Sequence, residues 1–239
     1  MPFHRTDKAK IVWPQGISAG DRRLCRRIYK LIEPNTNHNN ILVACSGGID
    51  STVLAHAVTM TMQLNGNQAG RHIAYVNHGL RSKKEIQADI KHVNALATYL
   101  KYNSFFPEVL VLDGNTQANA RTARYDALSD IARKVGAKVL LGHHANDVAE
   151  TKIWQFLTGR PVVGIGEVMV WGDDPVLFLR PLLKVTREEL AQYAYAWNLS
   201  WMEDSTNTSV KYSRNAIRME MIPWIKVHIN SGIVKMLSS

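Results

Sequence analysis

The chain has 239 residues, 46% of them hydrophobic and 21% charged, a globular composition that excludes an intrinsically disordered polymer. Its two cysteines exclude a disulfide framework or a four-cysteine zinc site, and no stretch of about 18 apolar residues is available to span a membrane. Lys and Arg outnumber Asp and Glu by 29 to 20, a net charge of +9, which favours a polyanionic partner because cations that neutralise phosphates release counterions.

The basic start of the chain has no apolar core behind it, unlike a secretory signal, so a soluble, cytoplasmic protein is expected. Residues 1–38 read as a basic N-terminal extension holding the cluster Arg22, Arg23, Arg26 and Arg27. From there, short apolar runs alternate with amphipathic stretches. Residues 41–45 form the first expected strand, followed by a glycine turn and a helix over 51–64. A second strand spans 72–76, and a helix over 84–102 carries Ile86, Ile90, Val93 and Ala97 at helical spacing. A third strand is expected at 109–112, then a helix over 117–135 that stops at Gly136. A fourth strand at 138–141 leads into a helix through Glu150 and Trp154. This alternation predicts an α/β protein with a doubly wound parallel sheet covered on both faces.

The last third changes character. A loop carrying Gly159, Gly164, Gly166 and Gly172 leads to an expected edge strand at 176–179. Helices over 186–197 and 213–227 follow as a C-terminal extension from about residue 184, the first opened by a Thr186–Glu189 capping box. Residues 39–239 thus read as one domain with a helical tail. The tryptophans Trp13, Trp154, Trp171, Trp197, Trp201 and Trp224 are mostly core candidates, and His72, His92 and His228 have no setting that suggests chemistry.

The most informative stretch is Ser46-Gly-Gly-Ile-Asp-Ser51-Thr52, directly after the first strand and opening a helix. Gly47 and Gly48 permit a tight turn and close approach to a ligand, and the free N–H groups at the helix start favour an anion. Ser46, Ser51 and Thr52 add hydroxyl donors, while Ile49 and Asp50 complete the loop. It is neither a Walker loop nor a dinucleotide fingerprint. The pattern is a phosphate cradle.

Ser-Gly-Gly-x-Asp-Ser resembles the loop of the N-type ATP pyrophosphatases. From about residue 41 to 225 the chain is similar to the catalytic domain of the tRNA(Ile)-lysidine synthetase family. The matching pieces, in order, are Val76-Asn-His-Gly-Leu-Arg81, Ala120-Arg-Thr-Ala-Arg-Tyr125, Gly142-His-His-Ala-Asn-Asp-Val-Ala-Glu-Thr151, Arg180-Pro-Leu-Leu183, Glu203-Asp-Ser-Thr-Asn207 and Arg214-Asn-Ala-Ile-Arg218. The resemblance implies an adenine nucleotide alpha hydrolase-like fold and an ATP-dependent carbon–nitrogen ligase. Such an enzyme adenylates the wobble cytidine of an isoleucine tRNA in its anticodon region, and free lysine then displaces AMP to give lysidine.

Asp147 and Glu150 are three apart and share a helix face. A carboxylate beside ATP holds magnesium (Mg2+), the role expected of Asp147, and Glu150 is the candidate to receive the lysine amine. Arg121 and Arg124, also three apart, suit the charge that grows on the α-phosphate. Asn77, His78, His143 and His144 close strands, where ligands gather in open α/β sheets, and are expected to border the nucleotide. Arg160, Arg180, Asn207, Arg214, Asn215 and Arg218 are the candidate tRNA and substrate contacts implied by the resemblance.

The chain departs from the family pattern in two places. Asn146 stands where a second acid is usual, and Leu157-Thr-Gly-Arg-Pro161 offers its arginine one step later than the usual Arg-Gly order. The match ends close to residue 225, without the further domains that many members carry. The expectation is therefore that tRNA is gripped by the catalytic domain and its basic face, that the substrate is a different or smaller one, or that the chain works with a partner, as a homodimer or with a helper protein. Two alternatives share the loop: a tRNA 2-thiolation enzyme, which relies on paired cysteines, and an ATP-dependent amide synthetase, which has no need of excess positive charge.

Overall fold

In a computed structural model of the chain, the described residues are 17–36, 40–77, 82–108, 117–202 and 213–239. The strand expected at 109–112, together with His78, Asn207 and Trp13, lies outside them. Strands with apolar side chains on both faces need helices on both faces, and β1 (Asn40–Ala44) follows that rule closely. Ile41 and Val43 enter one core, while Leu42 and Ala44 enter the other. β1 lies between β2 (Arg71–Ala74) and β4 (Ala137–Leu140), pairing in parallel with each. With β3 (Asn103–Phe105), β5 (Val168–Trp171) and β6 (Val176–Leu179) the sheet order is β3-β2-β1-β4-β6-β5, and only β5 runs antiparallel. The chain direction across the sheet reverses between β1 and β4, the position at which open α/β sheets bind ligands, outside the carboxyl ends of the strands.

One face is covered by α1 (Ala19–Thr36), α2 (Ile49–Leu64), α3 (Lys83–Leu100) and α6 (Arg187–Ala196), which contribute Leu24, Ile28, Val53, Val93, Leu96, Leu190 and Tyr193. The other face carries α4 (Gln117–Val135), whose Tyr125, Leu128 and Ala132 meet Phe178. A third, smaller cluster joins α5 (Ala145–Leu157) to α7 (Ser213–Ala216), a π-helical stretch at Ile217–Met221, α8 (Ile222–His228) and α9 (Ile233–Ser238). It is built on Ala145, Ala149, Ile217, Ile222 and Val234.

Three expectations change. Residues 176–179 are not the edge strand: β6 is flanked on both sides, and the edge is β5, inside the stretch read as a glycine loop. Val168 and Val170 face outward on β5 while Met169 and Trp171 are partly covered, an alternation masked by the surrounding glycines. The segment before residue 39 does not stand apart, since Leu24, Ile28 and Ile32 at helical spacing bury α1 in the main core. Nor is α6 a tail, because Leu190 and Ala194 are fully enclosed in that core. The described tryptophans are mostly core residues, as expected: Trp154, Trp171, Trp197 and Trp201 are partly buried and pack against the core clusters, while Trp224 is 55% exposed.

Candidate active site

The Ser46–Thr52 loop spans the gap between β1 and α2. Gly47 has φ +83, a left-handed conformation that a side chain would strain, and a Cβ there would sit 3.5 Å from His92 and 3.6 Å from Met202. Its carbonyl accepts a 2.8 Å bond from the Met202 N–H, tying the loop to the segment after α6. The Ser51 hydroxyl donates to the Gly48 carbonyl (3.0 Å) and accepts from the Ser46 N–H (3.2 Å). Thr52 is fully buried. These two hydroxyls, expected to meet phosphate, brace the loop. Gly48 is the N-cap of α2 and supplies no side-chain cap, so the first amides of that helix remain for an anion.

Gly142 follows β4, where a Cβ would lie 3.4 Å from the backbone of Asp50 and of Ser51. The strand end therefore packs directly on the start of α2. His144, 3% exposed, bridges the two segments: its Nε2 is 3.5 Å from Asp50 Oδ2 and 3.7 Å from Asp147 Oδ2. Burial works against protonation of His144, but the hydrogen bond to Asp50 and the charges of Asp147, Asp50 and Glu150 prevail and raise its pKa. Asp147 caps α5 in return, accepting from the His144 N–H at 2.9 Å, while His144 Nδ1 accepts from the Asn146 N–H.

His143 points to a different environment. Burial, with Arg124, Arg180 and Arg121 nearby, pushes its pKa down to about 4 against the pull of Asp147. Its Nδ1 is buried without a hydrogen-bond partner among the described residues. Arg180 is only 3% exposed and donates to the Gly166 carbonyl at 2.7 Å. It anchors the Gly166 loop and adds to the positive field around His143, so it is not a surface tRNA contact. Arg121 is exposed, with its guanidinium over the Tyr125 ring at 5.2 Å, and Arg124 is partly buried beside it.

Along α5, Asp147 and Glu150 do share a face, and what joins them is Arg218. Its Nε donates to Glu150 Oε1 at 2.7 Å, and its Nη2 to Glu150 Oε2 at 2.9 Å and Asp147 Oδ1 at 3.4 Å. Glu150 retains 5% of its side-chain exposure and Arg218 26%. Burial pushes the Glu150 pKa up against the pull of Arg218, while the bond to Glu150 raises that of Arg218. Arg218 lies in the π-helical stretch, a geometry that recurs at functional sites. One turn further along α5, Trp154 meets both Arg160 and Arg214, with guanidinium carbons 4.5 and 5.5 Å from the ring centre. Asn215 is partly buried next to this group, and Asn77 closes β2, its N–H bonded to the Pro107 carbonyl at 3.0 Å.

The residues suit a nucleoside triphosphate. The uncapped amides of α2 fit its phosphates, and Asp50 Oδ1 is a buried carboxylate oxygen without a partner among the described residues. Both oxygens of Asp147 already have partners, so Asp50 is the freer of the two toward a cation. No group of three or more His, Cys, Asp or Glu among the described residues is arranged for a metal. A magnesium ion here would take one or two carboxylates and complete its shell with phosphate oxygens and water, its usual habit. Gly142, His92 and Met202 belong to the site, although nothing in their local sequence marks His92 or Met202.

Residues 21–225 match the model of the PP-loop domain family. The chain is 35% identical over 224 residues to a tRNA(Ile)-lysidine synthase of Nostoc sp., covering 92% of this chain and 62% of that protein. It is 36% identical over 195 residues to one of Burkholderia mallei, covering 79% of this chain and 39% of the relative. It therefore spans less than two thirds of these relatives. Its fold is similar to that of a U34-tRNA thiolase from Methanococcus maripaludis, with a TM-score of 0.72 at 14% identity, over 92% of this chain and 77% of the other. The cradle at the end of β1 and this match across most of the chain lead to one conclusion: the chain belongs to the PP-loop domain family.

Proposed function

We propose that the chain adenylates the wobble cytidine of an isoleucine tRNA with ATP and joins lysine to it, forming lysidine. The observation that carries this reading is the likeness to tRNA(Ile)-lysidine synthases over a stretch that includes both the phosphate loop and the Asp147–Glu150–Arg218 cluster. The amides of Gly47, Gly48 and the first turn of α2 hold the pyrophosphate part of ATP. Asp50, with Asp147, would hold magnesium, which supplies charge neutralisation on the phosphates. The cytidine carbonyl oxygen at position 2 attacks the α-phosphorus and pyrophosphate leaves, while Arg121 and Arg124 balance the growing negative charge. The lysine amine then attacks the activated carbon, and AMP leaves with the oxygen. Glu150 is suited to take the amine's proton because burial has already raised its basicity.

Positive charge supports an RNA substrate. Arg22, Arg23 and Arg26 are exposed on α1, beside a cavity of about 610 Å³ lined by Arg23, Arg27, Lys184 and Lys235 together with Asp21 and Glu189. The thiolation reading is disfavoured by the thiols themselves. Cys25 and Cys45 are both buried, burial raises the pKa of each, and Cys45 is bonded to Ser51. Neither is a ready thiolate. The test is mass spectrometry of an isoleucine tRNA incubated with the chain, ATP, magnesium and lysine. A gain of one lysine, with loss of water, on the wobble cytidine is expected. ATP turnover that requires no RNA would instead support a small-molecule amide synthetase and overturn the reading.

A further inference from the structure

The end of α5 is built around a tryptophan that the chemistry above does not use. Trp154 lies one turn beyond Glu150, and Arg214 one turn before Arg218, so the two elements face each other in two rungs. In the inner rung Arg218 grips Glu150 and Asp147. In the outer rung the Arg214 guanidinium lies over the Trp154 ring at 5.5 Å. Arg160 reaches the same ring at 4.5 Å from the loop just beyond that end of α5. It gets there because Gly159 takes φ +67 and turns the chain back, after which the Arg160 N–H bonds to the Gln155 carbonyl at 2.9 Å. The Gly159-Arg160 order is therefore what lets this arginine fold over the indole.

Stacking on an indole leaves the N–H edges of a guanidinium free while fixing its plane. Both Arg160 and Arg214 are exposed, and no carboxylate among the described residues lies within ion-pair distance of either. Next to them Phe156 is 73% exposed, Leu157 55% and Val163 78%. An apolar rim beside two unpaired, pre-oriented guanidiniums matches a single-stranded RNA segment, which offers phosphates to the arginines and unstacked base faces to the rim. We propose that Trp154, Arg160 and Arg214 form a phosphate fork that seats the RNA backbone next to the nucleotide entering the Glu150–Arg218 site, with Trp154 as the positioning residue for both arginines. This inference rests on the RNA-modifying function proposed above and adds to it the contact that sets the register of the RNA.

The test is fluorescence anisotropy with a labelled anticodon stem–loop RNA across a salt series, alongside binding of a fluorescent ATP analogue. Trp154→Leu and the pair Arg160→Gln/Arg214→Gln should each weaken RNA binding and reduce the log–log salt slope by about two, one unit per lost phosphate contact. Combining all three changes should add nothing further, because Trp154 acts through the arginines. Trp154→Phe should restore most of the affinity by keeping an aromatic face, and ATP analogue binding should stay unchanged in every variant. Wild-type affinity and slope in Trp154→Leu, or losses that simply add, would overturn the fork. So would altered sedimentation of the variants with unaltered RNA binding, which would assign the face to a second copy of the chain. If the wild-type chain itself binds no RNA, the proposed function fails and the fork fails with it, an outcome distinct from a variant without effect.

Discussion

Glu150 keeps 5% of its side-chain exposure and depends on Arg218, which keeps 26%. The two ends of this pair should respond differently to mutation. Arg218→Met leaves a buried carboxylate without its main counter-ion and is expected to cost about 3 kcal/mol. Glu150→Gln leaves a guanidinium that can reach water and Asp147, and should cost about 1 kcal/mol. The sign of the pH dependence separates the two variants. Without Arg218 the folded-state pKa of Glu150 rises further above its ordinary value of 4.5, so the folded form holds a proton that the unfolded form has lost. Stability of Arg218→Met should therefore recover as pH falls from neutral toward 4.5 and decline as it rises. Urea unfolding of both variants at several pH values measures this, and an equal, pH-independent cost would show that the pair contributes no buried charge. In the proposed lysidine-forming reaction, Glu150→Gln should slow capture of the adenylated RNA by lysine more than its formation.

At the scale of elements, the helices divide into those that shape the cleft and those that fill the core, and α1 belongs to the second group. Ile28 is fully buried and Ile32 is 3% exposed, both in the core shared with β1 and α2. Ile28→Ala is expected to destabilise the fold by about 2–5 kcal/mol, the range for a buried aliphatic truncation, read as a lowered midpoint in chemical denaturation. A separable basic extension would show almost no change. The exposed arginines of α1 sit on the opposite side of that same helix, so α1 combines a structural face with a charged one. The π-helical stretch makes a comparable division in the C-terminal helices: Ile217 enters the small core around Ala145 and Ala149, while Arg218, the next residue, turns to the α5 acids.

At the scale of the whole molecule, the net charge of +9 has to be arranged rather than merely present. Two basic regions flank the described cleft elements: the Arg23, Arg27, Lys184 and Lys235 lining between α1, α6 and α9, and the Arg160–Arg214 pair at the end of α5. If the first also contacts RNA, binding should fall steeply with salt, with a log–log slope on the order of several units. Arg23→Gln and Arg27→Gln should each lower that slope by about one and weaken different RNA sequences alike. A flat salt response of the wild-type chain would remove RNA from the list of substrates.

Much of this was legible in the sequence where the information is local. The strand–helix alternation, the Ser46–Thr52 cradle and the shared face of Asp147 and Glu150 depend on periodicity and on spacings of a few residues, which the chain carries within one turn or one pleat. The burial of α1 is equally local in kind, since Leu24, Ile28 and Ile32 already mark an apolar stripe, although the neighbouring arginines give the same stretch the composition of a basic extension. Only the tertiary structure decided which charges meet. Arg218 reaches Glu150 across 68 residues of chain, His144 approaches Asp50 only because β4 lies next to β1, and Arg180 is a buried brace because β5 pairs with β6 above Gly166. Spacing along a chain reports which side chains share a face of one element. Which element that face meets is set by sheet order and helix packing, and these belong to the fold as a whole.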